Sequence, residues 1–260
     1  VDNMPDRAAI REIVKSKYGA IAESNECCTP EQPAPCCGAG AVDFAPGYTP
    51  EELSALPRGA ELGLGCGRPT AHAEIRPGEI VVDLGSGAGV DCFLAAKAVG
   101  ERGLVIGVDM TDAMLEKARA NAQIGGFANV QFRKGEIDRM PIDSGSVDLV
   151  ISNCVINLVP DKVRVFRDIY RVLGPGGRFC VADVVYKGRM PADLRNDLDQ
   201  WACCIGGAVE KDEYLALARN AGFERVAVKA EVDYDYRRTD EFSLASVTVI
   251  GYKPDSNGGR

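Results

Sequence analysis

The run Glu79-Ile80-Val81-Val82-Asp83-Leu84-Gly85-Ser86-Gly87-Ala88-Gly89 constrains the fold more than any other part of the 260-residue chain. Its apolar half is too uniform to alternate, so it reads as a strand covered on both faces, and three glycines then break it before a helical segment. Open α/β sheets bind their ligands at such a junction. Glycines there let backbone amides approach a ligand with no Cβ in the way. The spacing is Gly-x-Gly-x-Gly, not the Gly-x-Gly-x-x-Gly of nicotinamide sites, and Asp83 stands two places before the first glycine. A carboxylate at that point suits a cationic ligand better than the pyrophosphate that a dinucleotide brings to a helix N-terminus.

Further apolar runs repeat the pattern. Strands are expected at residues 79–84, 103–109, 129–133, 147–152 and 177–186, with helices at 88–99, 111–124 and 161–172. This order predicts a parallel, doubly wound α/β sheet. A helical stretch at 190–204 interrupts it before a helix at 211–221 and closing strands near 224–233 and 245–252, seven strands in all. Ahead of the sheet, Ala9, Ile10, Ile13, Val14 and Tyr18 share one face of a helix over residues 6–22. Residues 25–50 hold Cys27, Cys28, Cys36 and Cys37 among prolines and glycines and read as a loop, followed by a short helix at 51–56 capped by Thr49 with Pro50 at its first position. Three units are expected: 1–78 as N-terminal helix, cysteine-rich loop and substrate flap; 79–189 as ligand-binding core; and 190–260 as helical insertion with the completing strands.

Hydrophobic residues make up 46% of the chain, enough for a real core. A net charge of -8 without any lysine or arginine run argues against nucleic acid or an anionic membrane as partner, and points to a small substrate. The longest apolar stretches fall far short of the roughly 20 residues of a membrane span. No charged-then-apolar leader pattern opens the sequence, so a cytoplasmic monomer is expected.

Asp109, closing the second strand, can accept hydrogen bonds from two ribose hydroxyls, and Met110 beside it can lie against an adenine face. After the third strand, Ile137 is placed to pack on the adenine, with Glu136 either reading its amino edge or standing as a solvated loop charge. Together these segments resemble the class I methyltransferases, against an NAD-dependent oxidoreductase as structural rival. The resemblance implies S-adenosylmethionine as cofactor, with Asp83, Gly85, Ser86, Gly87, Asp109, Met110, Glu136, Ile137 and Asn153 around it.

The ten cysteines need a reason, because a disulfide framework is improbable in a reducing compartment. Cys92 and Cys180 sit in apolar helix and strand patterns and read as small buried hydrophobes. Cys154 follows the fourth strand at the edge that faces the ligand. Cys66 lies in the glycine-rich segment Gly63-Leu64-Gly65-Cys66-Gly67-Arg68-Pro69, expected to be mobile, and Cys204 in Trp201-Ala202-Cys203-Cys204-Ile205-Gly206-Gly207-Ala208. Three convergent thiolates would bind a soft, thiophilic centre. Zinc fits badly, since the remaining cysteines come as adjacent pairs and His72 is the one histidine.

With these residues in view the chain resembles the arsenite methyltransferases over roughly residues 10–210. The matching segments are Tyr18-Gly19, the paired cysteines, Gly65-Cys66-Gly67-Arg68-Pro69, Asp83 to Leu94, Gly107-Val108-Asp109-Met110-Thr111, Ser152-Asn153-Cys154-Val155-Ile156-Asn157-Leu158 and Cys204-Ile205-Gly206-Gly207-Ala208. Arg68 departs from an asparagine common in that family, and the sequence stops short of a C-terminal region present in longer members. The resemblance implies a seven-stranded class I methyltransferase sheet, with Cys66, Cys154 and Cys204 binding arsenite or methylarsenite, free or as a thiol conjugate. It implies Cys27, Cys28, Cys36, Cys37 or Cys203 in thiol capture or exchange, and an external reductant of glutathione or thioredoxin type. A methyltransferase of an organic small molecule, and a soft-metal or metalloid binding protein on an inactive methyltransferase scaffold, stay open as alternatives.

Overall fold

The computed structural model describes residues 5–24 and 47–255. Helix α1 (Arg7–Ser24) is followed by α2 (Pro50–Ser54), α3 (Pro69–His72), β1 (Ile80–Leu84), α4 (Val90–Val99), β2 (Leu104–Asp109), α5 (Asp112–Gly125), β3 (Val130–Lys134) and β4 (Val147–Asn153). After a 3-10 turn come α6 (Lys162–Val172), β5 (Leu173–Gly188), α7 (Ala192–Arg195), α8 (Leu198–Ala202), β6 (Val209–Glu210), α9 (Lys211–Asn220), β7 (Glu224–Thr239) and β8 (Phe242–Tyr252).

The sheet runs β3-β2-β1-β4-β5-β8-β7, with the two-residue β6 beside β5, so it has eight strands where the sequence pattern gives seven. A two-residue strand carries no periodicity and escapes pattern reading. The sheet is also mixed: β1 to β5 pair in parallel, whereas β8 runs antiparallel to both β5 and β7. Chain order runs outward from β1 through β2 and β3, then resumes on the other side at β4. The switch point between β1 and β4 therefore opens a crevice at their carboxyl ends.

Helices α6 and α9 bury Val165, Phe166, Ile169, Tyr214, Leu215 and Ala218 against one face of the sheet. Helix α4 places Cys92, Ala95, Ala96 and Val99 on the other. Both faces of the central strands are thus dry, which explains their unbroken apolar runs. The helical stretch expected at 190–204 is two short helices, because Asp197 turns its side chain onto the amides of Asp199 and Gln200 and starts α8 anew. Helix α2 is capped as its sequence requires, by a reciprocal Thr49 and Glu52 box with Pro50 in the first turn. Helix α1 lays Ile10 and Val14 against Trp201 and Ala202 of α8, so the two segments flanking the core in sequence meet above the crevice.

The approach to β1 is held by one buried cation. Arg178 of β5 donates to the carbonyls of Ala73 and Glu74 and to both carboxylate oxygens of Glu79, at 2.7 and 2.9 Å. Replacing Arg178 by Met leaves Glu79 and two carbonyls without their donor, and the variant is expected to lose about 3–5 kcal/mol in urea unfolding.

Candidate functional site

A cavity of about 720 Å³ lies in the crevice at the ends of β1, β2 and β4. Its floor is the glycine turn after β1. Gly85 adopts a left-handed φ of 61°, and a Cβ there would come within 2.5 Å of the Val155 side chain, so only glycine permits the turn to pass under the chain leaving β4. Asp109 is fixed at the end of β2 by the amides of Gly87 and Thr111, at 3.0 and 2.8 Å.

Three carboxylates are buried in this wall. Burial raises the pKa of Asp109 and, together with the charges of Asp91 and Asp109, that of Asp83 far more. Burial likewise pushes Asp91 up to about 6, against hydrogen bonds from Asn153 and Tyr48 that favour the anion. One oxygen of Asp91 accepts from the Tyr48 hydroxyl at 2.8 Å and from the Asn153 amide at 3.1 Å. Among the described residues the other oxygen has no partner, nor has the Ser86 hydroxyl. A concave wall that raises the cost of its own anions favours a cation in the cavity.

All nine residues expected around the cofactor line this cavity: Asp83, Gly85, Ser86, Gly87, Asp109, Met110, Glu136, Ile137 and Asn153. Their surroundings differ. Glu136 is exposed and paired with Arg11 of α1 at 3.0 Å, and Met110 packs in the cluster of Ile13, Tyr18 and Trp201. Asn153 spends its carbonyl oxygen on the amides of Cys66 and Gly67, at 3.0 and 3.2 Å, and its amino group on the Gly67 carbonyl, Tyr48 and Asp91.

Next to Asn153 the structure brings Cys66, Cys154 and Cys204 together: Cys154 and Cys204 line the cavity, and Cys66 is buried in the cluster behind them. Cys154 is hydrogen-bonded to both other thiols, and those contacts, with burial, drive its pKa far above the ordinary range. Burial also raises Cys66, and the charge of Asp183 adds to that. The Cys204 thiol donates to the Cys154 carbonyl at 2.8 Å. Cys154 and Cys204 both adopt left-handed backbone, φ 60° and 64°, a conformation that costs energy for a side chain without local compensation. Among the described residues no group of three or more histidine, cysteine or carboxylate side chains has the arrangement of a metal-ion site.

The Cys66 loop is pinned, which differs from the mobile segment its glycines suggest. Besides Asn153 on its amides, the Cys66 carbonyl accepts from the Tyr234 and Ser246 hydroxyls. A Cβ on Gly67 would stand 2.6 Å from the Ala182 Cβ. The partners come from β4, β7 and β8, far along the chain, and leave no local trace in the sequence.

Beneath the thiols, Asp183 accepts from the Tyr214 hydroxyl at 2.8 Å, and burial raises its pKa to about 7. Lys162, lying over the Trp201 ring, is pushed by burial down to about 8. Cys203 lines the cavity, and the Lys17 ammonium of α1 stands 2.9 Å from its sulfur. Cys92 and Cys180 are fully buried as their patterns require. Cys27, Cys28, Cys36 and Cys37 lie outside the described residues. Sequence reading passes over Asp91, Tyr48 and Lys17 as functional groups. Asp91 has the position of an ordinary helix-start acid, and the other two act across 43 and 186 residues.

Residues 75–222 match the family model of a methyltransferase domain. An arsenite methyltransferase of Halobacterium salinarum is 43% identical over 96% of this chain and 68% of its own length. That of Homo sapiens is 41% identical over 55% of this chain, and the matched part is 40% of its length. An arsenic (III) S-adenosylmethionine methyltransferase from Chlamydomonas reinhardtii superimposes with a TM-score of 0.67 at 36% identity, covering 82% of this chain and 73% of that one. The chain thus spans between 40% and 68% of the length of these two curated relatives.

Asp91 titrates near 6 in the fold and in the ordinary carboxylate range when unfolded, so the folded state holds its proton more tightly. Its ionisation is a cost that disappears as pH falls from about 6 towards 4. Urea midpoints of the ligand-free protein should rise over that interval, and Asp91→Asn should flatten the rise.

Proposed function

Since the chain belongs to the arsenite methyltransferase family, on the class I methyltransferase fold, we propose that it transfers methyl groups to trivalent arsenic held by Cys66, Cys154 and Cys204. The observation that carries this reading is the meeting of these three thiols, from three distant segments, with Cys154 and Cys204 on the wall of the cavity floored by the glycine turn and Cys66 buried against them.

The cavity fits S-adenosylmethionine. Its unpartnered Asp91 oxygen and the other buried carboxylates suit a ligand carrying cationic sulfur and nitrogen, and Asp109 suits ribose hydroxyls. Met110 and Ile137 offer apolar contact for the adenine. When bound, S-adenosylmethionine supplies an electrophilic methyl on a sulfonium that becomes neutral on transfer.

Arsenous acid and three thiols condense with loss of three waters, each thiol proton leaving with one hydroxyl of arsenic. The raised pKa values of Cys66 and Cys154 are no obstacle, because no free thiolate has to form. The arsenic takes over contacts that the thiols now make with one another. Three sulfurs on one side leave its lone pair for the methyl, so the protein's contribution is orientation and proximity rather than base catalysis. Methylarsenite enters in the same way through two thiols, and a thiol conjugate through exchange of its thiolates.

Transfer oxidises the arsenic by two electrons, so each cycle draws on a reductant of glutathione or thioredoxin type. Cys27, Cys28, Cys36 and Cys37 are proposed as capturing or exchanging thiols in the same cycle. Such chemistry belongs in a reducing cytoplasm, and we read the enzyme as a monomer acting there. No described helix is long and apolar enough to cross a membrane.

Replacement of Cys154 by serine should lower transfer of labelled methyl from S-adenosylmethionine to arsenite by about 100-fold or more, the scale of lost positioning. Calorimetry should still show S-adenosylmethionine binding. Wild-type turnover in this variant would remove the three-thiol site and favour an organic acceptor.

A further inference from the structure

We propose that Gly207, lying against the backbone carbonyl of Asn157, sets the spacing between Cys154 and Cys204 and thereby selects the size of the trivalent centre they hold, arsenic over antimony. The inference rests on the arsenite methyltransferase reading.

Two short arms carry these thiols. Cys154 opens the turn after β4, and Asn157 stands three residues further on, in the 3-10 turn Ile156–Leu158. Cys204 follows α8, and Gly207 stands three residues further on. A Cβ on Gly207 would overlap the Asn157 carbonyl oxygen and stand 2.8 Å from the Trp201 ring. Gly207 does not have left-handed backbone, so its conformation would admit a side chain. Only the close approach of the two arms demands glycine there.

Both arms are anchored to the same stretch of one strand. The Asn157 side chain is fully buried and donates to the Val184 carbonyl of β5 at 2.6 Å. Just past Gly207, β6 pairs in parallel with Val185 and Tyr186 of β5. The Gly207 loop is also fastened to α8, because the amides of Ile205 and Gly206 donate to the Gln200 carbonyl at 3.0 and 2.9 Å. Cys66 is held by a different set of groups, Asn153, Tyr234 and Ser246. The separation of Cys154 from Cys204 is therefore governed at a contact of its own. The Cys204 thiol already reaches across it to the Cys154 carbonyl, at 2.8 Å.

Close-packed interiors have low compressibility, so a contact of this kind defines a distance rather than a range. Arsenous and antimonous acids condense with thiols alike, one water leaving for each bond to sulfur that forms, and their comparison isolates geometry. Antimony makes longer bonds to sulfur and spreads its ligands further apart. Thiols held at a short, fixed separation accept arsenic without strain and accept antimony only by moving an arm. A methyl group at position 207 forces the arms apart and removes that discrimination.

The test titrates the whole protein with arsenite and with antimonite, following the fluorescence of Trp201, the one tryptophan of the chain, whose ring touches the Gly207 loop. Calorimetry of S-adenosylmethionine binding checks that each variant is folded. The wild type should bind arsenite more tightly than antimonite. Gly207→Ala should keep cofactor binding and lower the ratio of antimonite to arsenite dissociation constants about ten-fold, the scale on which a pocket discriminates by one methylene. Asn157→Ala frees the Cys154 arm from Val184 without inserting bulk, and should move the ratio the same way by a smaller factor; it decides the matter if Gly207→Ala does not bind the cofactor. A wild-type preference for antimonite, or an unchanged ratio in a folded variant, with both affinities kept or both lost together, overturns the proposal. Loss of cofactor binding in both variants overturns it too, since the contact then serves the fold and not the spacing. If the wild type forms no S-adenosylhomocysteine from S-adenosylmethionine and arsenite in the presence of glutathione, the arsenite methyltransferase reading fails instead.

Discussion

The side-chain amide of Asn153 holds the parts of the site in register. Its oxygen fastens the amides of Cys66 and Gly67, and its nitrogen reaches the Gly67 carbonyl, Tyr48 and Asp91. One residue at the end of β4 therefore joins the thiol-bearing loop, a cavity carboxylate and the segment entering α2. Arg68, the residue that departs from the family's asparagine, extends the tie by pairing with Glu52 at 2.6 Å. Hydrogen bonds to charged groups are worth about 1.5–3 kcal/mol, and an orphaned buried partner costs a comparable amount. The arrangement is consequently cooperative: releasing the Cys66 loop also leaves Asp91 with one contact fewer.

Around that clamp the protein spends stability on a preformed site. Cys154 and Cys204 hold left-handed backbone, and three carboxylates share a poorly solvated wall. Such strain persists when the surrounding packing overdetermines it. Here the packing is the dry core on both faces of the sheet, together with α1 and α8 locked above the crevice by Ile10, Val14 and Trp201. On the proposed reading, a cationic ligand among the carboxylates and a thiophilic centre between the sulfurs would relieve both costs.

Much of the fold could be read from the chain. The parallel strands from Ile80 to Asn153 are uniform apolar runs because both faces are covered, and Thr49, Pro50 and Glu52 spell out their own cap. The antiparallel pairing of β8 was not legible, since a buried strand carries the same pattern in either direction. Nor was the division of the insertion at Asp197, where one side chain outweighs helical spacing. In the site, the glycine turn and Asp109 announce themselves because their roles are local, set by a strand end and the residues just after it.

The sequence by itself determined the glycine turn after β1 and the doubly wound core, since short-range periodicity and glycine spacing are properties of contiguous residues. Only the tertiary structure decided which thiols meet and in what state. Cys66 is fixed by Asn153, Tyr234 and Ser246, and Cys203 faces Lys17 from the far end of the chain. Whether a sulfur keeps or loses its proton depends on burial and on the charge beside it. Both arise from contacts between segments that the linear order leaves far apart.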